Sequence, residues 1–192
     1  MAAAKLLVFA ASLRAGSFNR QLAQNAAQEF ARQGAEVTLL DLKEYPLPIY
    51  DGDLEQSGGI PLPARALHGV LRTHQGVFIA SPEYNAGLTP LLVNLLAWVS
   101  RVKEEGGQAA AFGMPAYALG SASPGGFGGY RGLIALRQTL ELGLAAHVLP
   151  QMVSVPGAPQ AFDAAGTLTA PGPRQMLEQL AAKLIAAAQP RG

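Results

Sequence analysis

Leu6-Leu7-Val8-Phe9-Ala10-Ala11-Ser12-Leu13-Arg14-Ala15-Gly16-Ser17-Phe18-Asn19 is the stretch that decides the fold. An apolar run without polar alternation reads as a strand covered on both faces, Lys5–Ala10. The turn after it carries hydroxyls and an arginine. Phe18–Arg32 then repeats Leu22, Ala26 and Phe30 at helical spacing until Gly34 ends it. A turn that feeds a helix in this way presents unpaired N–H groups and the positive end of the helix dipole, a ready anion site. Ser12, Ser17 and Asn19 add neutral donors, and Arg14 adds a fixed charge whose forked donors suit phosphate. The plainer alternative is an ordinary helix cap, closed by Ser17 or Asn19.

Working outward, Glu36–Leu40 (EVTLL) reads as a second strand and Gly76–Ala80 (GVFIA) as a third. Between them, residues 41–63 are rich in proline, glycine and acids and read as a long surface connection, followed by a modest helix over 64–74. Asp51, Asp53 and Glu55 in that connection read as solvated charge. A loop, SPEYNAG, precedes a strongly apolar helix over 89–102. A fourth strand is expected at 115–119, then GSASPGGFGGY and a helix over 131–142. Val148 and residues 152–155 form a fifth strand split by Pro150, and Pro171–Ala188 the last helix. Strand and helix alternate throughout, which implies a parallel sheet with helices on both faces and right-handed crossovers. Five strands suit the doubly wound order 2-1-3-4-5, with its ligand crevice at the carboxyl ends of strands one and three. No internal repeat or long linker divides the chain, so residues 1–192 are expected to form a single domain.

Composition narrows the function classes. Apolar residues make up 49% of the 192 and charged ones 14%, as in a globular chain with a real core. Lys and Arg total 14 against 13 acids, which leaves no electrostatic case for nucleic acid or an anionic membrane. The absence of cysteine excludes disulfides, thiolate metal sites and thiol nucleophiles. His68, His74 and His147 have no metal-ligand spacing, and no metal site is expected. The first dozen residues have some flavour of a secretory leader, but their apolar core is short and runs straight into the anion-binding turn. A buried first strand explains it better, and a cytoplasmic location is expected. No segment approaches the length of a membrane span.

In a doubly wound sheet the loops after strands one, three and four share one rim. Here all three carry complementary chemistry. The first supplies anion donors. The second, Ser81-Pro82-Glu83-Tyr84-Asn85, supplies a stiff turn, a ring and amide groups. The third, from Ser121 to Gly129, carries serines and glycines that let backbone approach a flat ligand. A ligand with a phosphate at one end and a planar, hydrogen-bonding ring system at the other satisfies all three, and FMN is such a ligand. Singly, Tyr84 could be a half-buried aromatic, Glu83 a solvated carboxylate and the glycines mere turn punctuation.

On these motifs the chain resembles the NADPH-dependent FMN reductase family of flavodoxin-like proteins, which includes bacterial quinone and chromate reductases. The family pattern Gly-Ser-x-Arg-x-x-Ser-x-Asn stands here as Ala11-Ser12-Leu13-Arg14-Ala15-Gly16-Ser17-Phe18-Asn19. Pro82-Glu83-Tyr84-Asn85 and Ser123-Pro124-Gly125-Gly126-Phe127-Gly128-Gly129 match the other two, within a similarity running from Lys5 to about Val155. The resemblance implies that Ser12, Arg14, Ser17 and Asn19, with Phe18 among them, hold the FMN phosphate. It implies that Pro82, Glu83, Tyr84 and Asn85 line the isoalloxazine and that Ser123 and Gly125 approach its edge. Three departures stand out: Ala11 for the family's glycine, Ala86-Gly87 for a bulky residue and serine, and Val93 and Ala97 for the Lys and Asp of Lys-Asn-x-x-Asp.

The implied function is that of an FMN-dependent oxidoreductase, in which NADPH (or NADH) and a quinone, free flavin or similar oxidant take turns on one open ring face. No catalytic side chain is required. A homodimer or dimer of dimers is implied, with the apolar helix over 89–102 at the contact. The rival readings are a flavodoxin-type electron carrier, a serine hydrolase with Ser121-Ala122-Ser123-Pro124-Gly125 as its elbow, and a dehydrogenase without flavin, for which the G-x-G-x-x-G turn is missing.

Overall fold

Leu6, Val8 and Ala10 pack into the core on one face of a sheet, Leu7 and Phe9 into the core on the other, which is why this run shows no polar alternation. In the computed structural model, which describes residues 3–189, it forms β1 (Lys5–Ala10). The chain continues through α1 (Phe18–Arg32), β2 (Glu36–Leu40), α2 (Gly52–Gly58), α3 (Leu62–Arg72), β3 (Gly76–Ala80) and α4 (Pro90–Val99). It then forms β4 (Ala116–Ala122), α5 (Tyr130–Gln138), β5 (His147–Val155), α6 (Ala158–Ala161) and α7 (Pro171–Ala188). The strands lie in the order β2-β1-β3-β4-β5 and every neighbouring pair is parallel, the doubly wound order expected. α1 and α7 cover one face, through Leu22, Phe30, Leu177, Leu180 and Leu184. α3, α4 and α5 cover the other, through Leu67, Leu71, Leu92, Leu95 and Leu133.

The structure departs from expectation most in residues 41–63. They are not an open connection: Asp51 caps α2 by accepting from Asp53 N at 2.8 Å, and α3 begins two residues earlier than expected, with Pro63 in its first turn. Nor is Glu55 a solvated charge. It accepts from the Tyr50 hydroxyl at 2.9 Å and faces Arg101 at 3.4 Å. The preceding strap is fastened to α4. Asn94 Nδ2 and the Trp98 indole N–H both donate to the Pro48 carbonyl, at 2.8 and 2.9 Å, while Tyr50 N donates to Asn94 Oδ1 at 2.8 Å. Tyr50 also meets Trp98 edge-on at 5.0 Å, with the Arg101 guanidinium 4.2 Å from its ring centre. Part of the second cover that the apolar α4 needs therefore comes from its own chain.

Two strands also differ. β4 starts one residue later and runs three residues further than expected, through Ala122. β5 passes through Pro150 instead of breaking there. The pairing shifts register between Tyr117 and Leu119, and Arg137 of α5 donates to the carbonyls of Val148 (3.1 Å), Leu149 and Pro150 (3.4 Å). A proline removes a ladder donor, and the guanidinium satisfies the carbonyls that this irregularity leaves.

At the centre of the sheet Phe78 packs edge-on against Phe30 at 5.7 Å, directly over Gly120. A Cβ at position 120 would lie 2.6 Å from Phe78 Cζ. Both rings are fully buried, so the ring has no room to yield. Gly120→Ala should therefore lower stability by about 1–3 kcal/mol through overpacking. Urea unfolding checks this. A lower midpoint at unchanged slope is the expected result, and an unmoved midpoint would contradict it.

Candidate functional site

The cleft at the carboxyl rim is built from the three expected loops. Its lining comprises Ser12, Arg14, Ser17, Phe18 and Asn19 from the first, Pro82, Glu83 and Tyr84 from the second, and Ala122, Ser123 and Pro124 from the third. Asn85 and Gly125 lie outside this lining. Asn85 is an exposed turn residue, and Gly125 N donates to Ser123 Oγ at 3.2 Å.

The first loop leaves the sheet at Ala11, whose N–H donates to the Ala80 carbonyl at 2.9 Å and whose carbonyl accepts from Thr89 Oγ1 at 3.1 Å. The Ala11 methyl packs into the core, so the family's glycine is replaced without a clash. Ser17 stands at the N-cap of α1 in extended conformation, yet its side chain makes no capping bond. The N–H groups of Phe18 and Asn19 have no backbone acceptor among the described residues. This end of α1 thus keeps the donors that a serine cap normally consumes.

Asn19 behaves differently from the expectation. Its amide is buried and closed on the backbone of Ala122: Nδ2 donates to the carbonyl at 2.8 Å and Oδ1 accepts from the N–H at 3.0 Å. What it offers the cleft is its backbone N–H, not its side chain. The charges sort themselves similarly. Arg20 is held by Asp41 in a forked pair at 3.0 and 2.7 Å, and that pair, with the Lys43 N–H, holds the Asp41 carboxyl below its ordinary range. Arg14 is exposed and forms no ion pair among the described residues, so its charge faces the cleft unopposed.

Glu83 is expected beside the ring; it lines the cleft, and its carboxylate is taken up by the start of α5. Oε1 accepts from Arg131 Nε at 2.8 Å and from a second guanidinium nitrogen, and Oε2 accepts from Gly132 N at 3.1 Å. Burial alone raises its pKa, but the Arg131 and Gly132 donors prevail and hold the group below the ordinary glutamate range. Tyr84 is 52% exposed and opens a tight turn closed in both directions, Tyr84 N to Gly87 O at 3.1 Å and Gly87 N to Tyr84 O at 2.9 Å. Asn85 and Ala86 occupy its corners at φ 52° and 61°, as a primed turn requires. Sequence reading missed Arg131 and Thr89. Arg131 follows the glycine pair by two residues, which was the only signal of its role.

The hydrolase reading fails here. Ser121 lies buried in β4 against Gly129, and Ser123 is tied through its N–H to Val155 O. His147 opens β5 opposite Ala116, at the amino end of β4, whereas Ser121 and Ser123 lie at its carboxyl end, too far along the strands to meet it. Among the described residues no cluster of three His, Asp or Glu could hold a metal, and no helix is long and apolar enough to cross a membrane.

The family model that matches, over residues 4–160, is that of NADPH-dependent FMN reductase. The chain is 34% identical over 176 residues to an NAD(P)H-dependent FMN reductase of Pseudomonas aeruginosa, covering 91% of this chain and 90% of that protein. It is 34% identical over 183 residues to an NAD(P)H:quinone oxidoreductase of Solanum tuberosum, covering 92% and 89%. The flavoenzyme NAD(P)H:(acceptor) oxidoreductase FerB of Paracoccus denitrificans shares the fold, with a TM-score of 0.73 at 24% identity over 96% of this chain and 97% of that one.

Ala86 carries a side chain in the left-handed region, a conformation costing an L-residue about 1–2 kcal/mol that glycine avoids at some entropic cost. Ala86→Gly should raise stability by about 0.5–1 kcal/mol. Thermal or urea denaturation measures it, and a loss of stability would mean that the methyl makes a compensating contact.

Proposed function

The chain belongs to the NADPH-dependent FMN reductase family, and from that premise we propose that its three-loop cleft holds FMN. The protein is an FMN-dependent NAD(P)H oxidoreductase acting on quinone- or flavin-type oxidants. The observation that carries the placement is the amino end of α1. Ser17 leaves its cap bond unmade, the N–H groups of Phe18 and Asn19 are open, and the unopposed Arg14 stands beside them. That donor set suits a phosphate dianion better than any neutral group. Ser12, Arg14 and Ser17 hold the phosphate with those N–H groups. Pro82, Glu83 and Tyr84 flank the ring system, and Ser123 brings backbone to its edge.

FMN, when bound, supplies the hydride chemistry between a nicotinamide and the oxidant. The residues of the chain bind, orient and leave one face open, and none is assigned a covalent or acid–base role. Both small molecules use the same open face in turn. The quinone and FMN reductases among the relatives support an enzyme over an electron carrier of the flavodoxin type. Leu6–Phe9 are core residues of an interior strand, and the proposed place of action is the cytoplasm.

The proposed assembly is a homodimer, or a dimer of dimers, through α4. The strap covers part of this helix, but Val93 remains 53% exposed, and Ile49, between the two strap residues that bond Asn94, is 86% exposed. Val93 and Ala97 replace a charged pair of the family pattern, which leaves an apolar face for a second copy.

Arg14→Ala should weaken FMN by about 1.5–3 kcal/mol and leave riboflavin, which lacks the phosphate, nearly unchanged. Titration of flavin fluorescence compares the two. Equal losses would overturn the phosphate assignment. For the assembly, light scattering at micromolar concentration should show at least a dimer whose mass does not fall on adding salt. A monomer, or dissociation by salt, would refute the apolar contact.

A further inference from the structure

The second loop is exposed at Tyr84, Asn85 and Ala86, yet the Glu83 side chain within it is only 9% exposed. Its two oxygens engage the first turn of α5, one through Arg131 and the other through Gly132 N. The N-cap residue before α5 is Gly129, which has no side chain to cap it. Glu83 provides that cap from a different loop, placing a negative charge at the positive end of the helix. The approach is close enough to require glycine. A Cβ at Gly132 would lie 3.0 Å from Glu83 Cβ and 3.1 Å from the Gly87 carbonyl, at both ends of the second loop. On its other side the Arg131 guanidinium lies 4.9 Å from the centre of the Phe127 ring. The Phe127 carbonyl is itself held by Ser154 Oγ at 3.1 Å. Glu83, Arg131 and Phe127 therefore form one stack that joins the second loop to the third.

Resting on the reading that the cleft holds FMN, we infer that Arg131 is a positioning residue for the flavin ring: its fork to Glu83 fixes the Pro82–Asn85 segment against α5 and so sets the width of the ring slot. Among the described residues the Arg131 guanidinium has its hydrogen bonds and ion pair with Glu83 and none with the phosphate loop. Its loss acts on the ring end of the ligand alone, whereas the loss of Arg14 acts on the phosphate end alone. Lysine does not replace it, since a point donor cannot bridge the carboxylate and stack under Phe127 together. Removing Arg131 alone leaves a buried carboxylate with a single N–H, so the second loop swings out or the fold weakens. Removing the Glu83 charge as well relieves that penalty and leaves the loop unpinned.

The experiment titrates FMN and riboflavin into the wild-type apoprotein and into Arg131→Met, Arg131→Lys and the double variant Glu83→Gln/Arg131→Met, following flavin fluorescence. The expected result is a loss of about tenfold for both flavins in every variant, with the FMN-to-riboflavin affinity ratio unchanged. Thermal melts should show the double variant at least as stable as Arg131→Met, so that a folded protein without the pin is at hand even if the single variant unfolds. Riboflavin affinity within twofold of wild type in the double variant overturns the inference. So does a loss confined to FMN, which would put Arg131 at the phosphate. Wild-type protein that binds FMN no better than riboflavin overturns the underlying phosphate-loop reading instead.

Discussion

The site depends on a buried amide. Asn19 closes both of its polar ends on the backbone of Ala122, tying the first turn of α1 to the last residue of β4. Each end satisfies a main-chain group that would otherwise be stranded in the core, at about 1–3 kcal/mol apiece. The same amide aims the axis of α1, and hence its free N–H groups, at the cleft. The Ala11 N–H bonded to Ala80 and the Ala11 carbonyl bonded to Thr89 tie the first loop to the second. Glu83 and Arg131 tie the second to the third. Each loop is thus cross-linked to both others by hydrogen bonds made within the protein, so the shape of the cleft is set by the scaffold.

Charge is arranged by the same logic. The chain is near neutral overall, with a formal charge of +1, yet the cleft is not. Arg20 is neutralised by Asp41 and Arg131 by Glu83, both in forked pairs that serve the scaffold. Arg14 is left as the cation facing the cleft, beside a helix end whose dipole has the same sign. A dianion entering there meets donors already oriented and loses little to reorganisation. The ring end, by contrast, presents the partly exposed Tyr84 and paired charges only, which suits a flat, weakly charged ligand surface.

The strand order was legible because each central strand is buried on both faces, so hydropathy alone marked β1 and β3 to the residue. The three loops were legible because hydroxyl, arginine and glycine clusters have few uses at a strand end. What escaped was long-range partnering. Nothing near Asn19 in sequence says that its amide bonds Ala122, and a free asparagine beside an anion site invites the opposite reading. Residues 41–63 looked like surface because prolines and acids dominate them. Their order comes instead from Asn94, Trp98 and Arg101, some fifty residues away. Pro150 looked like the end of a strand, and only the distant Arg137 makes it tolerable. Periodicity encodes which face is buried; it carries no record of which side chain answers a given carbonyl.

The fastening of the strap to α4 has one further consequence. Trp98 is the single tryptophan of the chain, fully buried, with its indole N–H on Pro48 and Tyr50 against its edge. Every polar contact of that indole therefore reports on the strap and none on the three-loop cleft. The molecule carries an intrinsic optical gauge, read through its emission wavelength, for whether residues 45–50 are seated.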